Sequence, residues 1–313
     1  MPRRIIIDCD PGQDDAVALL LAMASPEELD FVAVTTVAGN VSLQLTQRNA
    51  RMICDIASRQ DMPVFAGCEK PMRRPLHTAE AIHGRTGING LDVFDPRTPL
   101  QQMHAVDFLV GALLEAEDAS IILVPTGPLT NVATAIHREP RILPKIERIV
   151  LMGGAMREGG NRTPSAEFNI LVDPDAADIV LRCGRPITQM GLDVTHQVLS
   201  TRERVGKIRA LGNPVADAVA DMLSFFERHD LKKYASRGAP LHDPCTVAWL
   251  LRPDLFAFKA CNVSVETESA LTLGHTAVDF WHVTDRPVNV DWAYRVDADG
   301  FYDLLIERLA HYG

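Results

Sequence analysis

Ile5-Ile6-Ile7 passes without a break into Asp8-Cys9-Asp10-Pro11-Gly12-Gln13-Asp14-Asp15, so an apolar run suited to burial ends in four carboxylates within eight residues. The β-branched run reads as a buried strand, Pro11-Gly12 as a tight turn and residues 16–24 as an apolar helix. Side chains alternate along a strand, which puts Asp8 and Asp10 on one face, while Asp14 and Asp15 fall in the first helical turn and point back toward it. A helix N-terminus accommodates acids through its dipole and free amides, so capping accounts for Asp14 or Asp15 taken singly. Four carboxylates in so small a volume repel one another unless protons or a cation intervene. Hard cations gather clustered oxygen ligands of this kind, and the expectation is a metal site at the carboxyl end of the first strand.

The rest of the chain repeats the strand-then-helix rhythm. Apolar runs at 31–36, 64–65, 120–125 and 148–152 and the stretch 186–190 predict strands, and stretches at 43–58, 107–115, 129–137 and 173–183 predict the helices between them. That alternation specifies an α/β fold: a Rossmann-like, open, mainly parallel central sheet with right-handed crossovers, flanked by helices. Most strands end in a polar or glycine-rich turn, where such sheets place ligands. Residues 70–100 interrupt the rhythm with Pro71, Pro75, Pro96 and Pro99, and a long irregular loop of this kind reads as a flap over a site. Helices are expected at 214–229 and 244–251, with a loop at 233–242 between them. Strands at 261–267, 276–280 and 288–296 should form a small additional C-terminal β layer before a last helix at 300–309. No repeat or clean linker divides residues 1–313, so a single domain is expected.

Composition excludes several functions. A net charge of -10 with no dense Lys/Arg run leaves nothing to neutralise phosphates, so no nucleic-acid partner is expected. No stretch reaches the roughly 20 apolar residues of a membrane span, and acids follow Ile7 at once where a leader would continue apolar. Six cysteines, scattered without paired spacing, read as free thiols of a cytoplasmic protein. Neither G-x-G-x-x-G, a phosphate-binding G-x-x-x-x-G-K-[ST], nor G-x-S-x-G is present.

Two further clusters carry polar chemistry. Asn161-Arg162-Thr163-Pro164-Ser165-Ala166-Glu167-Phe168-Asn169 reads either as a solvated turn or as a set of side chains able to grip vicinal hydroxyls. His242-Asp243-Pro244 precedes a helix, where Asp243 taken alone is an N-cap.

Taken in order, Asp8-x-Asp10-Pro11-Gly12-x-Asp14-Asp15, Thr126-Gly127-Pro128-Leu129-Thr130-Asn131, Met152-Gly153-Gly154, Glu167-Phe168-Asn169 and His242-Asp243-Pro244 form a pattern. The chain resembles the inosine-uridine preferring nucleoside hydrolase family over essentially its whole length. That resemblance implies hydrolysis of the N-glycosidic bond of ribonucleosides by a Ca²⁺ enzyme. It makes Asp10, Asp15, Asp243 and the main-chain carbonyl of Thr126 the metal ligands, and it places a calcium-bound water beside Asp10 as general base. Asp14, Asn40, Asn161, Glu167 and Asn169 would bind ribose hydroxyls, with Met152 and Phe168 packed beside the sugar. His242 would protonate the departing base, His83 would lie near it, and His196 matches a further family position. Tyr234 and Arg237, in the stretch 226–240, would meet the base, and the segment Gly238-Ala239-Pro240-Leu241-His242-Asp243-Pro244 resembles pyrimidine-preferring members. Purine or broad specificity is the alternative, and related enzymes are commonly homotetramers or dimers.

Two rivals differ in class. A haloacid dehalogenase-type phosphatase also opens on Asp-x-Asp, but Pro11-Gly12 and the paired Asp14-Asp15 depart from it. A non-catalytic nucleoside-binding protein would need neither a base such as Asp10 nor an acid such as His242.

Overall fold

The computed structural model describes residues 2–234 and 238–313, the side chains of 226–234 excepted. Its centre is a ten-stranded sheet built from β1 (Arg3–Cys9), β2 (Leu29–Thr36), β3 (Val64–Ala66), β4 (Leu100–Gln101), β5 (Ile121–Pro125), β6 (Ile146–Met152) and β7 (Ile187–Met190), continued by three C-terminal strands. A separate two-stranded ribbon pairs β8 (Leu199–Thr201) with β9 (Gly238–Pro240). The C-terminal strands are β10 (Phe256–Val265), β11 (Thr276–Asp279) and β12 (Val290–Val296). Strand order is β11-β10-β12-β7-β6-β5-β1-β2-β3-β4. The C-terminal strands therefore extend the edge of the central sheet. β12 runs parallel to β7, and β10 and β11 then turn antiparallel.

Both faces of the sheet are covered, which is why its inner strands are apolar at successive positions. Ile5 and Ile7 of β1 pack into a core shared with helices Gln13–Met23, Pro244–Leu251 and Ala298–Leu309. Ile6 faces the other way, among Val132, Ile149 and Val180. Every residue of helix Gln13–Met23 is buried, because helices Pro244–Leu251 and Pro214–Tyr234 pack over it. Among the described residues no helix is long and apolar enough to cross a membrane.

From β1 the chain moves outward through β2, β3 and β4, then returns to place β5 on the opposite side of β1. The carboxyl ends of β1 and β5 thus flank the point where strand order reverses, and open sheets leave a crevice there. Asp10 follows β1 and Thr126 follows β5, and the Thr126 amide donates to the Asp8 carbonyl at 2.8 Å.

Candidate active site

Four buried acids meet at this crevice from opposite ends of the chain. Asp14 and Asp15 belong to the first turn of helix Gln13–Met23, and Asp243 stands immediately before helix Pro244–Leu251. Because the two helices pack together, carboxylate oxygens of Asp14, Asp15 and Asp243 come within 4.8 Å of one another. Both helix N-termini, with their positive dipole ends, are brought to the same spot. Asp243 occupies the cap position, yet its side chain makes no capping hydrogen bond, so the simple cap does not describe it.

Asp10 is held from three sides. The Asn40 amide donates to its Oδ2 at 2.6 Å, and Asn40 Nδ2 donates to its carbonyl at 3.0 Å. A Cβ on Gly39 would strike the same Oδ2, and one on Gly127 would lie 2.5 Å from Oδ1. Asp15 accepts from the Gly12 amide at 3.0 Å and from Thr126 Oγ1 at 2.8 Å, which ties the β1 turn to the β5 turn.

Burial raises all four carboxyl groups above their ordinary range, and repulsion between them adds to this at Asp10, Asp14 and Asp243. Asp14 is pushed up to about 7 by burial and by the charge of Asp15. Asp10 and Asp243 are pushed well up, Asp10 by burial and Asp15, Asp243 by burial and Asp14. Among the described residues no Lys or Arg pairs with any of the four. Asp14 Oδ1 is buried with no hydrogen-bond partner. An all-oxygen set of crowded acids with an orphaned oxygen is what a hard cation satisfies, so this cluster can hold a metal ion.

The cleft above the acids encloses about 640 Å³ of space, part of it open to solvent. Asp10, Asp14, Asn40, His83, Thr126, Met152, Asn161, Glu167, Phe168, Asn169, His242 and Asp243 all line it, and so does His196. Asp15 is fully buried. Asn169 Nδ2 donates to the Thr126 carbonyl at 2.7 Å and to the Met152 carbonyl at 3.2 Å, joining β5 and β6 at the cleft floor. Glu167 caps helix Phe168–Val172, accepting from the amides of Gly154, Asn169 and Ile170, and burial still pushes it up to about 7. Asn161 Oδ1 accepts from the Phe168 amide at 3.0 Å, so the polar run is a built turn facing the cleft.

The 70–100 loop contributes the short helix Glu80–His83, and Ala79, Ile82 and His83 line the cleft beside it. On the far wall His242 Nδ1 lies 2.8 Å from Thr195 Oγ1, and His196 Nδ1 lies 3.0 Å from Glu158 at the rim. Tyr234 and Arg237 lie outside the described side chains. Ala79 and Ile82 carried no sequence signal, since small and apolar residues in loops look alike wherever they face, whereas Pro240 falls in the segment that resembles pyrimidine-preferring members.

Asp8 serves different neighbours from Asp10. Its Oδ1 accepts from Thr35 Oγ1 at 2.6 Å and Asn131 Nδ2 at 2.8 Å, while Oδ2 is buried without a partner. Burial pushes this carboxyl from 3.8 up to about 7. The folded chain then binds a proton that the unfolded chain releases, so stability falls as pH rises from about 4 to about 7. In metal-stripped protein, Asp8→Asn should narrow the difference between denaturation midpoints measured at about pH 5 and about pH 8. An undiminished difference would remove Asp8 as its source.

Residues 5–303 match the model of the inosine-uridine preferring nucleoside hydrolase family. A pyrimidine-specific ribonucleoside hydrolase RihA from Photobacterium profundum is 50% identical over 313 residues, covering 100% of both chains. Among solved structures, a purine-preferring ribonucleoside hydrolase from Gardnerella vaginalis superposes with a TM-score of 0.91 at 33% identity, covering 98% of each chain. A plant nucleoside hydrolase superposes with a TM-score of 0.92 at 33% identity, covering 99% of each. Acids converging at the switch point of a mainly parallel sheet, and likeness over both full lengths, agree: the chain belongs to the inosine-uridine preferring nucleoside hydrolase family and is a ribonucleoside N-glycosyl hydrolase.

Proposed function

We propose that residues 1–313 act as one calcium-dependent domain that cleaves ribonucleosides to ribose and free base, with preference for the pyrimidine nucleosides uridine and cytidine. The observation that carries the mechanism is the meeting of Asp10, Asp14, Asp15 and Asp243 under a cleft lined by Asn and Glu side chains. Asp10, Asp15, Asp243 and the Thr126 carbonyl would hold the ion. Calcium, when bound there, supplies a Lewis acid that anchors the sugar diol and acidifies a water.

The chain's own groups divide the remaining work. Asp14, Asn40, Asn161, Glu167 and Asn169 bind ribose hydroxyls, and Met152 and Phe168 pack against the ring. As the C1′–N bond breaks, positive charge grows on the sugar, and the surrounding carboxylates stabilise it. Asp10, fixed by the Asn40 amide, takes the proton of the water that forms the new C1′–O bond. His242, oriented by Thr195, gives a proton to the departing base.

Base preference rests on the RihA-named relatives at 50% identity, against 33% for the purine-preferring solved structure. At equal low substrate concentration, purified protein should release uracil from uridine faster than hypoxanthine from inosine. The reverse order would move the chain to the purine or broad-specificity reading. A homodimeric or homotetrameric, cytoplasmic enzyme belongs to the same proposal. Association between copies is supported by Leu271, Trp281 and Val283, which flank β11 in sequence and are 86%, 70% and 82% exposed.

A further inference from the structure

Gln13 sits between the acid-bearing turn and the cleft histidine of the 70–100 loop. Its Nε2 donates to two backbone carbonyls, that of Asn89 at 3.0 Å and that of His83 at 3.3 Å. Its Oε1 lies 2.7 Å from His83 Nδ1. The opposite amide orientation would set Oε1 against two carbonyl oxygens, so the orientation is fixed by its surroundings. An amide oxygen can only accept, and His83 Nδ1 must therefore carry the hydrogen. In neutral histidine the second nitrogen is then an acceptor.

The neighbouring turn holds the ring in that pose. Gly12 approaches so closely that a Cβ there would stand 2.5 Å from His83 Nδ1 and 2.8 Å from Cε1. Gly12 thus fixes the Nδ1–Cε1 side of a ring that lines the cleft. Asn49 Nδ2 donates to Pro11 and Thr86 carbonyls at 3.1 and 2.9 Å, which pins the same loop to the same turn.

We infer that Gln13 is a positioning residue for base recognition: it holds His83 as the Nδ1–H tautomer, so that Nε2 accepts a hydrogen bond from an N–H of the nucleobase. His83 in this state has no Nε2 proton to give, which leaves proton donation to His242. The tautomer stands on this chain's own contacts, and only the identity of its partner rests on the nucleoside-hydrolase reading.

The experiment is ¹⁵N NMR of histidine-labelled, calcium-loaded full-length protein at about pH 8.5, above the ordinary imidazole range. The His83 signal is identified by its loss in His83→Asn. A protonated Nδ1 and unprotonated Nε2 are expected in the parent, with Gln13→Leu shifting the proton toward Nε2. Gln13→Leu should also lower kcat/KM for uridine about two- to tenfold, mainly through KM, as loss of one oriented hydrogen bond does. Turnover of 3-methyluridine, whose base has no N–H, should stay unchanged. A parent His83 protonated on Nε2 overturns the inference even if hydrolysis is intact, and so does an equal loss for both substrates. An inactive parent with Nδ1–H His83 would instead overturn the hydrolase reading and leave the tautomer standing. The parent spectrum decides the tautomer even if the leucine variant does not fold.

Discussion

Asp10→Asn is expected to lower kcat for uridine by roughly 10³-fold while leaving the folded chain intact, since a positioned general base contributes about 10²–10⁴. Asparagine keeps the size of the side chain and an oxygen to accept from the Asn40 amide, so the hydrogen bond at 2.6 Å has a replacement. What disappears is the group able to take a proton from water. The fit around it is close: Gly39 and Gly127 both press on the carboxylate, and neither position has room for a methyl group. Steady-state kinetics with a denaturation curve on the same preparation separates lost chemistry from lost fold. A variant that folds and turns over at the parent rate would remove Asp10 from the mechanism.

How much of this could be read from the sequence depends on whether a residue acts through neighbours in the chain. β1, β2, β5 and β6 were legible because strands buried on both faces carry apolar runs, and the glycine and proline turns after them mark the ligand edge. The acidic turn was legible for the same reason, since Asp10, Asp14 and Asp15 are local. Asp243 was not: before its helix it has the form of an ordinary cap, and only packing of that helix on Gln13–Met23 carries it to the other acids. The motif order of the family resemblance supplied what spacing could not.

Other features were hidden because tertiary pairing decides them. Strands expected at 261–267, 276–280 and 288–296 have the apolar content of an added layer, and nothing local says that β12 finds β7. The β8–β9 ribbon joins residues about forty apart in sequence, and Gly238-Ala239-Pro240 resembles a loop until Leu199–Thr201 lies beside it. Gln13 looked unremarkable in the sequence, for its importance comes from carbonyls more than sixty residues away. Glu167 read as one acid in a polar run, whereas three backbone amides close on it.

Removing the ribose 2′-hydroxyl should cost more than any change to the base. For 2′-deoxyuridine against uridine, kcat/KM is expected to fall on the order of 10⁴-fold, the scale on which a site built around a substrate hydroxyl rejects the analogue that lacks it. The physical reason is the crowding of acids at the cleft floor. Asp14 Oδ1 is buried without a partner, and Asp14 is pushed up to about 7 by burial and by Asp15. A hydroxyl that donates there satisfies the oxygen and favours its charged form, whereas the deoxy sugar leaves it buried and alone. Intrinsic reactivity runs the other way, because an electron-withdrawing 2′-hydroxyl disfavours positive charge at C1′, so a penalty on the deoxy substrate must come from the protein. Side-by-side initial rates at low concentration measure it. Comparable rates for the two sugars would mean that the acids of residues 10–15 and 243 do not face the 2′ position, and the assignment of this cleft as the ribose site would fall with them.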